Sequence, residues 1–255
     1  MPPRLLLRSI TEFRRLYQRL HAGDAIVGPL PWKEGEELKL LDLVDRGIVF
    51  FPSALAQMLA RSKVAQAEVL GEFMAPGTFV AYSLPDLARQ LHGFQGRGGG
   101  QVVTKKDKAH LGLGVSLWPS LEALCSLGGL QGLPFPLVVQ PFVAAARDLR
   151  AVVLGDYAEA YERLNPGGFR KNIFQGGSSR PLELTPEILA FCQQVMGRGK
   201  FPYAILELLQ TTSGELYLSE ISLKGGLTGA RLGQEEFRAR VNSLEEDWRQ
   251  QWEKS

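Results

Sequence analysis

The sequence predicts an α+β protein whose first part is a small parallel α/β unit. Two observations support this fold class, and a third concerns the size of the core. Short strands and amphipathic helices alternate over the first fifty residues, as they do in parallel α/β units. Strand segments joined by tight turns dominate the second half. A hydrophobic content of 45 % over 255 residues is enough for a sizeable core in one large domain or two small ones.

The opening segment alternates between strand and helix. Phe13, Leu16, Tyr17 and Leu20 recur at the spacing of one helical face. A second helical segment stops at Gly47, a residue type that commonly follows a helix end. In chain order we expect a strand at 5–7, the helix TEFRRLYQRL, the strand DAIVGPL, the helix EGEELKLLDLVDRG and the strand IVFFPS.

The middle of the chain is predicted to contain helices and short strands separated by glycine-rich breaks. One long helical stretch is expected from Ser53 to Glu72. A turn, a short strand and a helix follow within MAPGTFVAYSLPDLARQLHG, and FQGRGGGQ is typical of a flexible linker. The strands QVVTK and GVSLW then flank a loop with glycines, and a helix is centred on SLEALCSL.

The second half is predicted to be rich in antiparallel strands. The expected elements are the strand LVVQPFV, two strands in DLRAVVLGDYAEAYERL, the helix TPEILAFCQQVMGRG and the hairpin YAILELLQTTSGELYLSEIS. Thr185 caps that helix and Pro186 takes its first position. The C-terminal segment places Phe237 and Trp248 on one apolar stripe with Val241 and Leu244, so we expect a helix docked on the body.

Composition argues against several classes of partner. The 29 basic and 27 acidic residues give a formal charge of +2, so neither nucleic acid nor a membrane is expected as partner. No apolar run is long enough for a signal peptide or a membrane span, and we expect a cytoplasmic protein. Cys125 and Cys192 form no disulfide or metal pattern and are expected to be buried small hydrophobes. His21, His92 and His110 are scattered and expected at the surface.

The segment VVTKKDKAHLGLGV, from Val102 to Val115, is a candidate phosphate site. Lys105 ends a strand, and Gly112 and Gly114 follow in a loop that can turn backbone N–H groups toward an anion. The lysine precedes the glycines, so the segment does not match the GxxxxGK[ST] phosphate loop. A solvated turn between two strands is the alternative interpretation of this segment.

Two acids of the last hairpin form a candidate metal site. Glu207 and Glu220 lie on strands joined by a turn and are flanked by apolar residues, where a carboxylate is costly unless it is paired or binds a cation. Two oxygen ligands on neighbouring strands suit Mg²⁺. A solvent-facing pair of acids is the alternative. Phosphoryl transfer requires cations near such acids, which stabilise the charge of the transferred group. The residues that lie on or between the strands before the hairpin and could do this are Arg150, Arg163, Arg170, Lys171 and Asn172.

The order of these features resembles the ATP-grasp ligases, and most closely their RimK-like branch, which is also similar to glutathione synthetase. The resemblance covers roughly Asp45 to Gly229. Lys105 is followed seven residues later by GLGV, as the family's strand lysine is followed by G-x-G-V. The other matching segments are, in order, DRGIVFFPS, Lys63, APGTF, VQPFV, RDLR, YERL, FRKNIFQGG, LEL and SEISLKGGLTG.

The resemblance implies a fold and a domain organisation. Two α+β subdomains would grip ATP, preceded by a shortened N-terminal α/β unit at 1–52. The ATP-grasp domain would occupy 53–235, with a lid subdomain at about 75–133 and a C-terminal subdomain at about 134–235. The residues 236–255 would form the C-terminal helix.

The resemblance also implies the roles of individual residues. Lys63 and Lys105 would contact the nucleotide phosphates, under a lid from Lys108 to Gly114 that moves through Gly112 and Gly114. Two Mg²⁺ ions, with Mn²⁺ as an alternative, would bind the acids and Ser222. The adenine would lie against Gln140, Pro141, Phe142 and Val143. The terminal phosphate and the acceptor carboxylate would lie near Arg150, Arg170 and Asn172.

The implied activity is ATP-dependent ligation of a carboxylate to an amine or thiol through an acyl phosphate, with release of ADP and phosphate. The substrates would be small molecules or peptides, and the acceptor an amino acid or a peptide C-terminus. Pro141 replaces the acid usual at its position, and Ser222 replaces an asparagine. These departures and the shortened N-terminal unit keep open the alternative of an ATP-binding regulator without ligase activity. A kinase of the same fold is a further alternative. The C-terminal helix could also serve a homodimer.

Overall fold

The protein was analysed as a computed structural model that describes residues 3–95, 100–109, 114–164 and 178–255. The strands are β1 Leu6–Leu7, β2 Ala25–Val27, β3 Val49–Phe51, β4 Phe79–Ala81, β5 Val102–Lys106, β6 Val115–Trp118, β7 Leu137–Pro141, β8 Arg147–Leu154, β9 Tyr157–Leu164, β10 Ser178–Leu182, β11 Tyr203–Gln210 and β12 Leu216–Ser222. The helices are α1 Ile10–Leu16, α2 Glu37–Asp45, α3 Ala54–Leu59, α4 Lys63–Leu70, α5 Leu84–Gln95, α6 Leu121–Gln131, α7 Pro186–Gly199 and α8 Gln234–Lys254.

The N-terminal unit is a parallel sheet in the order β1-β2-β3, as the alternation of strand and helix predicts. Its core includes Phe13 and Leu43, which are fully buried, and Trp32. Phe13 meets Trp32 edge to face at 4.9 Å between ring centroids. This arrangement is favourable for the ring quadrupoles.

Two antiparallel sheets form the rest of the described body. One has the order β4-β7-β5-β6 and is packed by α5 and α6 around a core that includes Leu87 and Leu124. The other has the order β10-β9-β8-β11-β12, and its main core includes residues of α3, α4 and α7. Strand β7, which the expected subdomain boundary assigns to the C-terminal part, pairs within the four-stranded sheet. The expected division into subdomains stays a prediction.

The prediction of one long helix from Ser53 to Glu72 is wrong, because the segment contains two helices. Helix α3 ends at Leu59, and Ser62 starts α4 by accepting a hydrogen bond from the Ala65 N–H at 3.0 Å on its Oγ. A serine in extended conformation satisfies an otherwise unpaired N–H at a helix start and so favours a new helix there. The break places Lys63 at the first position of α4.

Helix α8 packs against both the N-terminal unit and the five-stranded sheet. Trp252 donates from Nε1 to the Gly23 carbonyl at 3.0 Å, and the Arg4 guanidinium lies 4.5 Å from its ring centroid. Trp248 stacks on Phe51 at 5.4 Å. The docking expected for this helix is confirmed. No helix in the described part of the chain is long and apolar enough to cross a membrane.

Candidate active site

A cavity of about 1110 Å³ lies between the two antiparallel sheets. The four-stranded sheet contributes side chains from β5, β6 and β7, and the five-stranded sheet contributes side chains from β8, β9, β11 and β12. The third wall comes from the N-terminal unit and α3 and includes Leu30, Trp32 and Gln57. Small-molecule sites usually have volumes of about 300–1,000 Å³, so this cavity can hold a nucleotide beside a second substrate.

Lys63 lies in this cavity and bridges two of its walls. Its ammonium group donates to the Glu220 carboxylate at 3.2 Å, Nζ to Oε1, and to the Ala109 carbonyl at 2.8 Å. Ala109 belongs to the loop after β5, which connects to Gly114. A Cβ placed on Gly114 would come within 2.5 Å of the Ala109 Cβ, so glycine is needed for this close approach.

Lys105 faces the same cavity from β5. Its Nζ donates to the carbonyl oxygen and to Oγ of Ser219, both at 3.0 Å. Burial lowers the pKa of Lys105 to about 8; the Glu220 carboxylate opposes this effect and the Lys63 cation adds to it. The neighbouring Lys106 is exposed, as expected for a solvated residue.

The two acids of the hairpin are directly opposite each other. Glu207 on β11 pairs with Glu220 on β12, and Arg150 on β8 pairs with Glu207 from the other side. Residues directly opposite in adjacent strands project from the same face of a sheet. The row of three charged side chains across three strands therefore faces one cavity. The proximity of the two acids predicted from the hairpin is confirmed.

Two arginines hold the Glu207 carboxylate. Arg150 donates to its Oε1 from Nη2 and to the Gly226 carbonyl from Nη1 at 2.8 Å. Arg163 donates to Glu207 Oε2 at 2.7 Å and to both oxygens of Asp148 at 2.8 and 3.1 Å. Burial lowers the pKa of Arg150, and the charge of Arg163 adds to the effect.

The sequence interpretation assigned no role to Asp148, although it also lines the cavity. The strands β8 and β9 turn at GDY and place Asp148 opposite Arg163. That register could be derived from the predicted hairpin alone. The sequence could therefore have predicted this ion pair, because the hairpin places an acid opposite an arginine.

The residues present fit a divalent cation. Glu207, Glu220 and the Ser222 hydroxyl offer oxygen ligands on two adjacent strands that line the cavity. Carboxylate and hydroxyl oxygens are the donors that Mg²⁺ accepts. Within the described ranges, no three acid, histidine or cysteine side chains cluster as a metal site. The candidate metal ligands are therefore two acids and one hydroxyl, and arginine and lysine side chains pair with the acids in this structure.

The residues expected around the adenine form one edge of the cavity. Gln140 is 2 % exposed, and its Nε2 has no hydrogen-bond partner among the described residues. Pro141 has no N–H, and the Phe142 N–H donates to the Gln101 carbonyl at 2.9 Å. The side chain of Gln140 is thus a group at this edge that can donate to a ligand.

Several expected site residues lie outside the described residues: Gly112, Arg170, Lys171, Asn172 and His110. Among the other expectations, His21 is exposed and Cys192 is buried. Cys125 is only half-buried, which corrects the expectation that both thiols are buried. The reason is its place on α6, where it packs at the margin of the smaller core.

Comparisons with known proteins find a matching family model and several named relatives. A family model described as RimK-like ATP-grasp domain matches residues 73–235. A protein of Shewanella frigidimarina named probable alpha-L-glutamate ligase 2 is 32 % identical over 151 residues, which are 57 % of this chain and 48 % of that protein. A protein of Hahella chejuensis named probable alpha-L-glutamate ligase 1 is 30 % identical over 193 residues, 72 % of this chain and 61 % of that protein.

A solved structure also matches. The D-alanine-D-alanine ligase from Coxiella burnetii superposes with a TM-score of 0.61 at 13 % identity, covering 91 % of this chain and 71 % of that one. The chain spans about half the length of the Shewanella relative. Together, the family match and the superposition confirm the α+β fold predicted from the sequence.

Proposed function

Because the chain belongs to the family of RimK-like ATP-grasp domains, we propose that it is an ATP-dependent ligase that joins a carboxylate to an amine. The observation that carries this proposal is the composition of one cavity. Lys63 and Lys105 line the same cavity as the opposed acids Glu207 and Glu220. Phosphoryl transfer needs such an arrangement, since cations bind the phosphates and acids hold the metal between them.

The nucleotide base would lie against the edge formed by Gln140 and Val143. The unpaired Nε2 of Gln140 supports this placement, since a buried donor without a partner is costly and a ring nitrogen of the base could accept from it. The phosphates would then extend toward Lys105 and Lys63. The guanidinium of Arg150, which also lines the cavity, would donate to the terminal phosphate.

Glu207, Glu220 and Ser222 would hold Mg²⁺. When bound, the metal supplies charge neutralisation at the phosphate oxygens. The carboxylates are now paired with Lys63, Arg150 and Arg163. When a metal also binds these acids, the N–H groups of the lysine and the arginines that do not bind an acid can donate to phosphate. The same cationic side chains can therefore bind an acid and a phosphate at once.

The proposed reaction needs no protein nucleophile. A carboxylate oxygen of the first substrate attacks the γ-phosphorus, and the bond from that phosphorus to the bridging oxygen breaks, leaving its electron pair on ADP. The amine of the second substrate then attacks the carbonyl carbon of the acyl phosphate. Phosphate departs with its electron pair, and the amine loses a proton to water. Position and charge neutralisation supply the rate.

The names of two relatives make glutamate the first amine to test. ADP release should be measured with Mg-ATP, glutamate and a panel of amino acids and peptides as carboxylate substrates. A ligase releases ADP only when a substrate is present, and hydroxylamine traps its acyl phosphate as a hydroxamate. A regulator would bind ATP without stimulated ADP release, and a kinase would give a phosphorylated product and no hydroxamate.

The matched variants lie on one hairpin. Glu220→Gln removes a proposed metal ligand and should abolish turnover. Glu215→Gln changes an exposed acid near the turn of the same hairpin and should leave turnover unchanged. Equal turnover in both variants would contradict the proposal.

A further inference from the structure

A buried glutamine on α4 contacts the strand that carries two proposed metal ligands. Gln66 is 2 % exposed, and its partner Ile221 lies 155 positions away in the sequence. We propose that Gln66 is a positioning residue, which holds Glu220 and Ser222 in place for the metal. This inference rests on the proposed function, because it assumes that those two residues bind a cation.

The contact is a complete amide-to-backbone pairing. Gln66 Oε1 accepts from the Ile221 N–H at 3.0 Å, and its Nε2 donates to the Ile221 carbonyl at 2.9 Å. The second hydrogen of Nε2 goes to the Leu59 carbonyl at 2.7 Å. The side-chain amide thus takes the place that a neighbouring strand would take in a sheet.

The position of Ile221 explains why this pairing matters. Among the described strands, β12 is at the edge of its sheet and pairs with β11 on one side only. Ile221 lies between Glu220 and Ser222, so its backbone groups on the free side set where both ligands project. An edge strand without a partner would leave this backbone unpaired inside the protein, which is unfavourable.

The same helix also carries Lys63. Lys63 and Gln66 are three residues apart and therefore lie on one face of α4. Lys63 donates to Glu220, while Gln66 binds the residue after it. Helix α4 thus fixes the distance between a proposed phosphate cation and a proposed metal ligand through two adjacent contacts.

The test combines amide exchange with metal binding in the full chain. Gln66→Met keeps the side-chain volume and removes all three hydrogen bonds. We expect faster hydrogen exchange at the Ile221 amide without metal or nucleotide. We also expect an affinity for Mn²⁺ in the presence of ADP that is lower by about tenfold, while ADP alone binds as before.

Two further variants keep the test decisive. Gln66→Glu retains an acceptor for the Ile221 N–H and loses at least one of the two donated hydrogen bonds, so its Mn²⁺ affinity should be intermediate. It replaces the methionine variant if that one does not fold. Asp24→Ala is the control, because Asp24 is also buried and accepts from two backbone N–H groups, of Leu5 and His21, within the N-terminal unit. It should leave Mn²⁺ affinity unchanged.

Three outcomes would overturn the inference. Unchanged exchange at Ile221 in the Gln66 variants would show that the contact does not hold the strand. Faster exchange with an unchanged Mn²⁺ affinity would show that Gln66 acts on stability alone. If the wild-type protein itself does not bind Mn²⁺ with ADP, the proposed function fails, and the inference fails with it.

Discussion

Lys63 and Glu220 form an ion pair inside the cavity, with 3.2 Å between Nζ and Oε1. Their side chains are 12 % and 32 % exposed, so both charges are largely shielded from water. The pair joins a lysine proposed to bind phosphate to an acid proposed to bind metal. In the free protein, each side chain therefore neutralises the charge of the other. A phosphate would compete for Lys63, and a metal ion would compete for Glu220.

The first prediction follows from that competition. Lys63→Met should weaken ADP binding by about tenfold, because a charge-assisted hydrogen bond to phosphate is lost. The same change should strengthen Mn²⁺ binding in the absence of nucleotide, since Glu220 loses its competing cation. Calorimetry for ADP and paramagnetic resonance for Mn²⁺ measure the two affinities. Lys106→Met, at an exposed neighbour of Lys105, is the control. Two affinities that fall together would contradict the competition.

The second prediction concerns the pH dependence of nucleotide binding. Burial lowers the pKa of Lys105 to about 8 from its ordinary 10.5. Above pH 8 the free protein therefore loses the charge that would bind phosphate, and ADP affinity should fall between pH 8 and pH 9.5. Lys105→Arg retains its charge throughout this range, so its affinity should change less. Parallel pH profiles of wild type and variant would exclude Lys105 as the source of the effect.

A third prediction uses the same pKa for stability. Between pH 8 and 10.5 the unfolded chain keeps a proton on Lys105 that the folded chain releases. Unfolding then takes up protons, so this group's contribution to stability rises with pH across the window. Lys105→Met lacks the contribution. Urea unfolding at pH 7.5 and pH 9.5 should show the free energy of unfolding of the wild type rising relative to that of the variant. A constant difference would mean that the pKa of Lys105 is not lowered.

The fourth prediction concerns the start of α4. Asp107, in the loop after β5, accepts from the Ser62 hydroxyl at 2.9 Å and from the Val64 N–H at 3.2 Å. Asp107→Ala should lower stability by about 1 kcal/mol, since an N–H in the first turn of the helix loses its acceptor. It should also weaken ADP binding severalfold, because Lys63 begins that helix and binds Ala109 in the same loop.

Two comparisons make the Asp107 result interpretable. Asp107→Asn keeps an acceptor and should recover most of the affinity. Asp156→Ala removes an acid whose side chain is 95 % exposed in the turn after β8, and it should change neither quantity. Loss of stability in Asp107→Ala without any change in ADP affinity would show that the contact of Asp107 with the start of α4 does not position Lys63.

Local pattern explains which parts of the site could be predicted. The hairpin around TTSGE brings Glu207 and Glu220 together through a short turn, so spacing alone is enough. The break at Ser62 escaped prediction because serine has an intermediate helix propensity, so one serine in an apolar helical pattern does not by itself indicate a helix end. Gln66 and Ile221 meet across 155 positions, and a single buried glutamine gives no periodic signal of its partner.

The last prediction concerns the unpaired amide of Gln140. A buried donor without a partner costs about 1–3 kcal/mol, and Gln140 Nε2 has none among the described residues. Gln140→Met, with similar volume and no donor, should therefore raise the free energy of unfolding of the unliganded protein by about 1 kcal/mol. It should also weaken ATP binding, because the donor to the base is lost. Urea unfolding measures the free energy of unfolding, which should rise, and calorimetry measures the ATP affinity, which should fall. A fall in both quantities would mean that the amide already has a structural partner. A gain in stability with unchanged ATP affinity would show that Gln140 is not part of the nucleotide site.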